Sequence, residues 1–426
     1  NQNGPEEMGW RTTAQNFNLN RDYTKLDTPE MRALIKLFAT VDPDVYIDTH
    51  TTDGADYQYT ITYGIDDHLL IYKPQKDFIN RKLRPFIEET VEQQGFLISP
   101  YVSYVKRDFR NGVYDWISTP RYSHGYASVR NRIGVLIETH MLKPYKDRVF
   151  STKSLLEAVL SFANENPEKI KQINSAADNY LSNYNLNYFL VKFKITEKAD
   201  SIIYKGKEPY MDSSFIAGTK IKKYKQKPLN VKVPYYRYSV AIDSVKIPKY
   251  YILPQEFGDL ADKMKLQGIT VRENLSQRRV KCEEIKFSDV KFSTFPYEGH
   301  FSPRFQYNKH DIEYELKKGD FIIPTDQPLL GLIIYLLEPK SPDSFLKWGF
   351  FNNIFERKEY FEAYSMDPIA QKMYNENEDL RKEFIAKLNS DSSFAKSPRA
   401  RLNFFYERSP YFDKKLNVYP VKKVYD

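Results

Sequence analysis

Cysteine and glycine are both scarce in this chain of 426 residues. The single cysteine, Cys282, cannot form an internal disulfide, and it excludes zinc sites built from cysteines. The 16 glycines form neither a P-loop nor a GxGxxG pattern, which excludes nucleotide-binding loops of those types. The longest apolar run, PLLGLIIYLL (328–337), is too short to span a membrane and predicts a buried helix.

Lysine and arginine together outnumber aspartate and glutamate, so that the formal net charge is +8. Most of the basic excess follows about residue 190 and is concentrated in two lysine-rich stretches, 204–210 and 220–238. Lysines without arginines read bases poorly, so we favour a solvated lysine-rich surface and expect no nucleic-acid partner. The alternative, a nucleic-acid-binding protein, predicts strongly salt-dependent binding.

The order of helix and strand patterns in the first half indicates an α/β fold. A cap, a proline and an acidic first turn at Thr28, Pro29 and Glu30 predict the start of a helix over 29–41. Further patterns predict strands at 44–52, 57–65 and 133–140, a helix over 74–95 and a helix pair over 151–181. This alternation is typical of a mixed sheet flanked by helices.

The pattern changes after about residue 188, and the length of the chain favours two domains. We therefore expect a catalytic domain over 1–188 and an accessory α+β domain over 189–426, with strands first and helices from 327 onward. The segment IEYELKKGDFIIPT (312–325), with Gly319 and Asp320 at its centre, predicts a β-hairpin.

Two of the predicted strands have a reactive side chain at or near their carboxyl end. His50 ends VYIDTH and Glu138 lies near the end of IGVLIETH. Functional sites of open α/β sheets lie at the carboxyl ends of strands, although a lone histidine there is more often a structural hydrogen-bonding group. Upstream, the pair Asn20 and Arg21 is suited to grip a carboxylate.

In these residues the sequence resembles the carboxypeptidase A-like zinc metallopeptidase family. Asn20-Arg21 in NLNRDY resembles the motif that holds the terminal carboxylate of the substrate, and His50 in YIDTHTT resembles the later zinc-binding histidine. Glu138 in VLIETH resembles the catalytic glutamate. Arg11 in GWRTTAQN resembles the arginine that polarises the scissile carbonyl, and Tyr122, with Tyr126 as second choice, resembles the tyrosine that caps the substrate.

The resemblance fails at one motif. The family binds zinc through an earlier His-x-x-Glu pair, and the only such spacing here joins His310 to Glu313, on opposite faces of a predicted strand. We therefore expect the chain to be the C-terminal piece of a longer protein, with the other two zinc ligands upstream of Asn1. Because a catalytic zinc needs about three protein ligands, the chain by itself is expected to be inactive.

The resemblance implies a zinc-dependent exopeptidase that hydrolyses the C-terminal bond of peptides or cell-wall stem peptides, in the periplasm or outside the cell. Zinc would activate water, Glu138 would act as general base, and zinc and Arg11 would stabilise the oxyanion. Asp48 would orient a zinc ligand or be a solvated strand-end acid. The alternative is an inactive carboxylate-binding module of the same fold.

Several other polar residues have a structural interpretation outside the predicted site. His68 and His124 are predicted in loops, with a position in the cleft wall as the alternative for His124, and His140 is predicted as a structural strand residue, with the pocket edge as its alternative. An acidic loop system near His50 would favour basic substrates or would simply be solvated; it comprises Asp53, Asp56, Asp66 and Asp67.

Overall fold

The computed structural model describes residues 11–183 and 186–426. The helices of the first half are α1 (Pro29–Val41), α2 (Lys73–Phe78), α3 (Arg84–Gln93), α4 (Ser123–Val129), α5 (Tyr145–Glu165) and α6 (Pro167–Ser182). A π-helical segment, Ile79–Leu83, joins α2 to α3. The later helices are α7 (Gly258–Leu266), α8 (Leu330–Leu337), α9 (Ala363–Glu376), α10 (Glu378–Ser390), α11 (Ser392–Lys396) and α12 (Pro398–Tyr406).

A four-stranded mixed sheet organises the first half. Its strands are β1 (Val45–Thr52), β6 (Ile133–His140), β2 (Ile61–Gly64) and β3 (Ile98–Pro100), in that spatial order. β1 runs parallel to β6, β2 runs antiparallel to β6, and β3 runs parallel to β2. The predicted α/β class, with a mixed sheet flanked by helices, is confirmed.

Three further sheets involve the second half of the chain. One contains β4 (Val102–Tyr104), β5 (Val113–Asp115), β9 (Thr219–Tyr236) and β8 (Asp200–Ser214), and a second pairs β7 (Tyr188–Ile195) with β10 (Ser239–Lys246). The third has the order β12 (Arg272–Glu273), β15 (Phe321–Pro324), β11 (Tyr250–Leu253), β16 (Lys422–Val424), β13 (Arg278–Phe292), β14 (Pro303–Leu316). The lysine-rich stretches lie in the long β8–β9 hairpin.

Helices cover both faces of the β1–β6 pair. On one face, Ile133, Val135 and Ile137 pack against apolar residues of α3 and α5 in a single core cluster. On the other face, α4 packs so closely that a Cβ atom added at Gly134 would lie 2.5 Å from the carbonyl oxygen of His124. Side chains alternate between faces along a strand, so Asp48, His50 and Glu138 share the face covered by α4.

The predicted hairpin at 312–325 is wrong. β14 pairs with β13 and β15 pairs with β11 and β12, so the two strands are not neighbours although they follow each other in sequence. The segment 328–337 is confirmed as a buried helix, because every residue of α8 is buried. None of the helices within the described ranges is long and apolar enough to cross a membrane.

The largest hydrophobic cluster combines residues from both halves of the chain. Ile35 and Tyr126 belong to the same cluster as Tyr251, Leu260 and Leu332. The boundary at residue 188 stays a prediction. The shared core nevertheless lets residues from the second half reach the region above the β1–β6 pair.

Candidate active site

The parallel pairing of β1 and β6 brings the two predicted reaction residues together. His50 lies directly opposite Glu138 in the strand register, and Asp48 lies opposite Leu136. Both strands place these side chains on one face, near the carboxyl ends of the strands. A cavity of about 870 Å³ opens above them.

All of the residues predicted for the site line this cavity. Arg11, Asn20, Arg21, His50, Tyr122 and Glu138 form parts of its wall, together with Asp48 and Asp53. These residues come from distant segments of the first half, so their convergence results from the fold and not from sequence proximity. Trp10, which precedes Arg11, lies outside the described residues.

His50 is oriented by Asp48. Its Nε2 atom lies 2.6 Å from Oδ2 of Asp48, and because a carboxylate can only accept, this bond assigns a proton to Nε2. Burial by itself would lower the pKa of His50, but the hydrogen bond and the charge of Asp48, with the charge of Glu138, raise the pKa above its ordinary value. The Nδ1 atom makes no hydrogen bond within the described part of the chain.

Glu138 is a buried carboxyl group with an unused acceptor. The residue is 8% exposed, and its Oε2 atom is buried without a hydrogen-bond partner among the described residues. Burial disfavours the charged form and raises the pKa of Glu138 to about 7, against the opposing charges of His50 and Arg11. A carboxyl group with this pKa can exchange protons near neutral pH.

Asn20 and Arg21 lie on a short 3-10 turn, Leu19–Arg21, that Asn18 caps through its side chain. The Oδ1 atom of Asn20 accepts a hydrogen bond of 2.9 Å from the backbone N–H of Ser123, at the start of α4. The Nδ2 atom of Asn20 lies 3.4 Å from Nε2 of His50. The amide therefore connects the turn with α4 and leaves its Nδ2 donor beside the reaction residues.

The guanidinium of Arg21 makes three contacts and keeps unused N–H donors. Its carbon atom lies 4.4 Å from the ring centroid of Tyr122, Nη1 donates to the carbonyl of Asn20 at 2.5 Å, and Nε donates to the hydroxyl of Tyr297 at 3.1 Å. Arginine has five N–H donors, so the remaining ones are available for an anion. The geometry is suited to a carboxylate.

A loop from the second half of the chain contacts this turn. The loop, residues 293–302 between β13 and β14, brings Tyr297 to Arg21, and Glu298 accepts a 3.0 Å hydrogen bond from the backbone of Asn18. His300 contacts Asp27 at 2.7 Å. The ring of Tyr297 stacks on Trp348 at 6.1 Å between centroids. No local motif marks these residues, so the sequence does not predict their place in the site.

Tyr122, the first choice for the capping residue, lies in the cavity wall. It is edge-on to Trp116, with ring centroids 4.9 Å apart. The second choice, Tyr126, is wrong, because its side chain is fully buried against Tyr23 and Phe38 and cannot reach a substrate.

The other histidines considered from the sequence do not line the cavity, and His124 lies in α4 and not in the predicted loop. His124 and His140 are buried, and the ring of His140 packs against Tyr57. His68 is buried and bonds Ser239 at 2.6 Å. His310 and Glu313 lie exposed on β14, away from the site.

The acidic loop system is mostly not solvated. Asp56 is buried and paired with Lys143 at 3.2 Å and Lys207 at 2.6 Å, and Asp66 is buried and accepts hydrogen bonds from backbone N–H groups. Asp67 accepts from Asn80. The member of this group that lines the cavity is Asp53.

The described residues fit one ligand of a zinc site and not a whole site. Histidines that bind metals commonly donate their second ring N–H to a carboxylate, as Nε2 of His50 does to Asp48, which leaves Nδ1 as the ligand atom. Within residues 11–183 and 186–426, however, no group of three or more His, Cys, Asp or Glu side chains is arranged to hold a metal ion.

The chain is similar to fungal carboxypeptidases. It is 22% identical over 354 residues to "Carboxypeptidase 2" of Trichophyton equinum and, over the same length, to that of Trichophyton tonsurans. The protein of the same name from Trichophyton rubrum is 20% identical over 350 residues. The aligned region covers 80% of this chain and 63% of each relative.

This similarity supports a carboxypeptidase family in a broad sense, and it does not distinguish a zinc-dependent class. The chain spans less than two thirds of the length of these relatives. No protein-family model and no solved structure matches the chain.

Proposed function

We propose that the chain carries substrate-binding and proton-transfer residues of a carboxypeptidase, which hydrolyses the C-terminal bond of peptides. The convergence of Arg21, His50 and Glu138 on one cavity is the observation that carries the proposal. The similarity to fungal carboxypeptidases supports it independently. Peptides or cell-wall stem peptides are the proposed substrates, and the periplasm or the cell exterior is the proposed location.

Arg21 is the proposed clamp for the terminal carboxylate. Its free N–H groups can form two parallel hydrogen bonds with a carboxylate, which fixes the position of the chain end. Asn20 supplies a further donor, because its Oδ1 atom is already bound to Ser123 while its Nδ2 atom has no acceptor in the described residues. A peptide amide cannot satisfy this clamp in the same way, so the clamp selects free chain ends.

Glu138 is the proposed general base. Its unpartnered Oε2 atom and its pKa of about 7 allow it to take a proton from water and to pass it to the leaving amine. Arg11 lines the same cavity and would stabilise negative charge on the scissile carbonyl oxygen. His50, held by Asp48, fixes the geometry of the wall opposite Glu138.

Zinc is the proposed cofactor, with His50 as one ligand through Nδ1 and Asp48 as its orienting partner. Bound zinc would supply Lewis acidity and a more acidic water molecule. About three protein ligands are needed for a catalytic zinc ion, so the others would have to come from outside the described residues.

Replacing Glu138 by Gln tests this function. In a form of the protein that includes the remaining zinc ligands, with zinc supplied, we expect the wild type to release the C-terminal amino acid from peptides, measured by mass spectrometry. The Glu138→Gln variant should lose about 100-fold or more of this rate, because proton transfer is lost, and should keep its affinity for peptides. The exposed Glu165→Gln substitution is the matched control.

Two results would contradict the proposal. Equal rates in the wild type and in Glu138→Gln would eliminate Glu138 as the base. If the same form, with the remaining zinc ligands present and zinc bound, binds peptides with free C-termini but releases no amino acid, the alternative holds, a carboxylate-binding module without catalysis.

A further inference from the structure

The outer half of the β8–β9 hairpin is exposed to solvent. The two strands pair with each other, and the pairing of β9 with β5 is confined to Tyr235 and Tyr236 at its carboxyl end. The register of the hairpin shifts between Lys207 and Pro209, and every residue from 208 to 227 is exposed or partly exposed. This segment, 208–227, is called the hairpin end below. The hydrophobic core does not require it.

Two large apolar side chains lie in the turn of the hairpin end. Phe215 is 96% exposed and Ile216 is 92% exposed, so both are almost wholly in water. The turn is held by its smaller neighbours: the hydroxyl of Ser214 accepts a 3.0 Å hydrogen bond from the backbone N–H of Ala217, and Gly218 has a φ of 64°. Residues in hairpin turns are usually small or polar. The two apolar side chains therefore stabilise neither the turn nor the core, which indicates that another surface covers them.

The apolar character continues on both faces of the hairpin. Met211 and Ile221 are exposed next to the turn. Met211 lies opposite Lys222 and Ile221 lies opposite Asp212, in adjacent pairs of the register. Because adjacent pairs point to opposite faces, one apolar side chain lies on each face. A groove on a protein would cover one face of such a hairpin, whereas a medium that surrounds the turn covers both.

Lysines follow this apolar turn along β9. Lys220 lies one pair behind the last pair of the hairpin, and Lys222 and Lys223 lie within about 15 Å of the turn. Two further lysines, Lys225 and Lys227, complete the set. The hairpin end is therefore apolar at its turn and basic behind it.

Most of this positive charge is not neutralised. The acidic residues of the hairpin end are Glu208 and Asp212, which pair with Lys225 at 2.7 Å and with Lys223 at 2.6 Å. Within the described chain, Lys220 and Lys227 have no ion pair.

A neighbouring turn adds to the basic surface. Lys222 donates a 2.7 Å hydrogen bond to the carbonyl oxygen of Arg107, so that the exposed Lys106 and Arg107 lie beside the hairpin. Anionic groups near the apolar turn would meet charges from both segments.

We propose that the hairpin end binds the surface of a membrane that contains anionic lipids. Phe215 and Ile216 enter the boundary between headgroups and acyl chains, and the lysines behind them contact the lipid phosphates. Interfacial binding of this kind depends on buried apolar area together with the attraction of basic residues to anionic lipids. The proposal does not depend on the proposed catalysis, and it gives the lysine-rich stretches a partner. Nucleic acid would use the lysines and leave the apolar turn in water.

Sedimentation with sucrose-loaded vesicles tests the proposal. One set of vesicles is phosphatidylcholine alone, and the other contains about one third phosphatidylglycerol. We expect the wild-type protein to bind the anionic vesicles at least tenfold more tightly, because several lysines lie near the surface. The double variant Phe215→Ser/Ile216→Ser should weaken this binding at least tenfold, and Lys220→Gln should weaken it about fivefold. Both sites are exposed, so these variants should fold.

Matched controls come from loops of the six-stranded sheet. Leu275→Ser removes an exposed apolar side chain and Lys318→Gln removes an exposed charge, and both should bind as the wild type does. Fluorescence gives a second measurement. The emission of Phe215→Trp should shift to shorter wavelength when anionic vesicles are added, and the emission of Leu275→Trp should not change.

Three results would overturn the proposal. The first is equal binding of the wild type to the two kinds of vesicle, or no binding to either. The second is anionic binding that persists in Phe215→Ser/Ile216→Ser with no shift in the emission of Phe215→Trp, which would mean adsorption by charge alone. The third is a wild-type oligomer that ignores vesicles and dissociates in the double variant, which would make the hairpin end a contact between copies of the chain.

Discussion

His50 and Glu138 occupy the same register position on the adjacent parallel strands β1 and β6. Two residues in this relationship point to one face of the sheet and keep their spacing as long as the strands stay paired. The rigid element that positions the proposed base therefore also positions the proposed metal ligand. The partners of these residues, and not the strands, determine their protonation.

Asp48→Asn should lower the pKa of His50. The hydrogen bond and the charge of Asp48 oppose the effect of burial, so removing the charge leaves burial to favour the neutral imidazole. An NMR titration of the His50 ring measures the change. Asp53→Asn, which alters another carboxylate of the cavity wall, is the control and should leave the His50 titration almost unchanged. An unaltered His50 pKa in Asp48→Asn would show that Asp48 does not set its protonation.

Tyr297→Phe should weaken the binding of peptides with free C-termini by about three- to tenfold, because Arg21 loses a hydrogen bond that holds its guanidinium. The affinity for the corresponding peptide amides should not change. Calorimetric titration measures both. Tyr364→Phe, at an exposed position of α9, serves as the control. A matching loss for acids and amides would mean that Tyr297 contacts another part of the ligand or supports the fold only.

His124 should contribute a loss of stability in mild acid, visible as the difference between the wild type and a His124 variant. This residue is 2% exposed, and burial lowers its pKa to about 4. The unfolded chain takes up the proton near pH 6.5, so the stability present above that pH is lost as the pH falls from about 6.5 to about 4. The loss should reach about 2–3 kcal/mol.

Urea unfolding at a series of pH values measures this loss. His124→Gln should flatten the pH dependence between about pH 6.5 and 4, whatever its effect on absolute stability. His310→Gln, at an exposed position of β14, should keep the wild-type slope. A His124→Gln variant with the same pH dependence of stability as the wild type would rule out a buried neutral His124.

Features determined by short segments of sequence could be predicted. The helix over 29–41 has the predicted bounds, because Thr28 caps it and Pro29 begins it. The strand of Glu138 was recognised from its continuous apolar run, and all of β6 is buried. His50 and Glu138 could be selected because they lie at or near the ends of predicted strands, whereas Arg11 and Tyr122 were selected from the family resemblance alone.

Features that depend on distant pairing could not be predicted. β14 and β15 follow each other around Gly319 and Asp320, yet their partners are β13, β11 and β12, which no turn signal identifies. Tyr297 reaches Arg21 from a loop that is separated from it by most of the chain.

The 293–302 loop contacts the Arg21 turn, whereas the proposed reaction residues lie on β1 and β6. Recognition of the chain end and the reaction therefore depend on separate regions of the polypeptide. Changes in the length or composition of that loop can alter which chain ends are recognised without any substitution in β1 or β6. Related proteins with the same strands and a different loop should therefore share a chemistry and differ in preference. Such a division lets ligand choice evolve while the reaction residues stay constant.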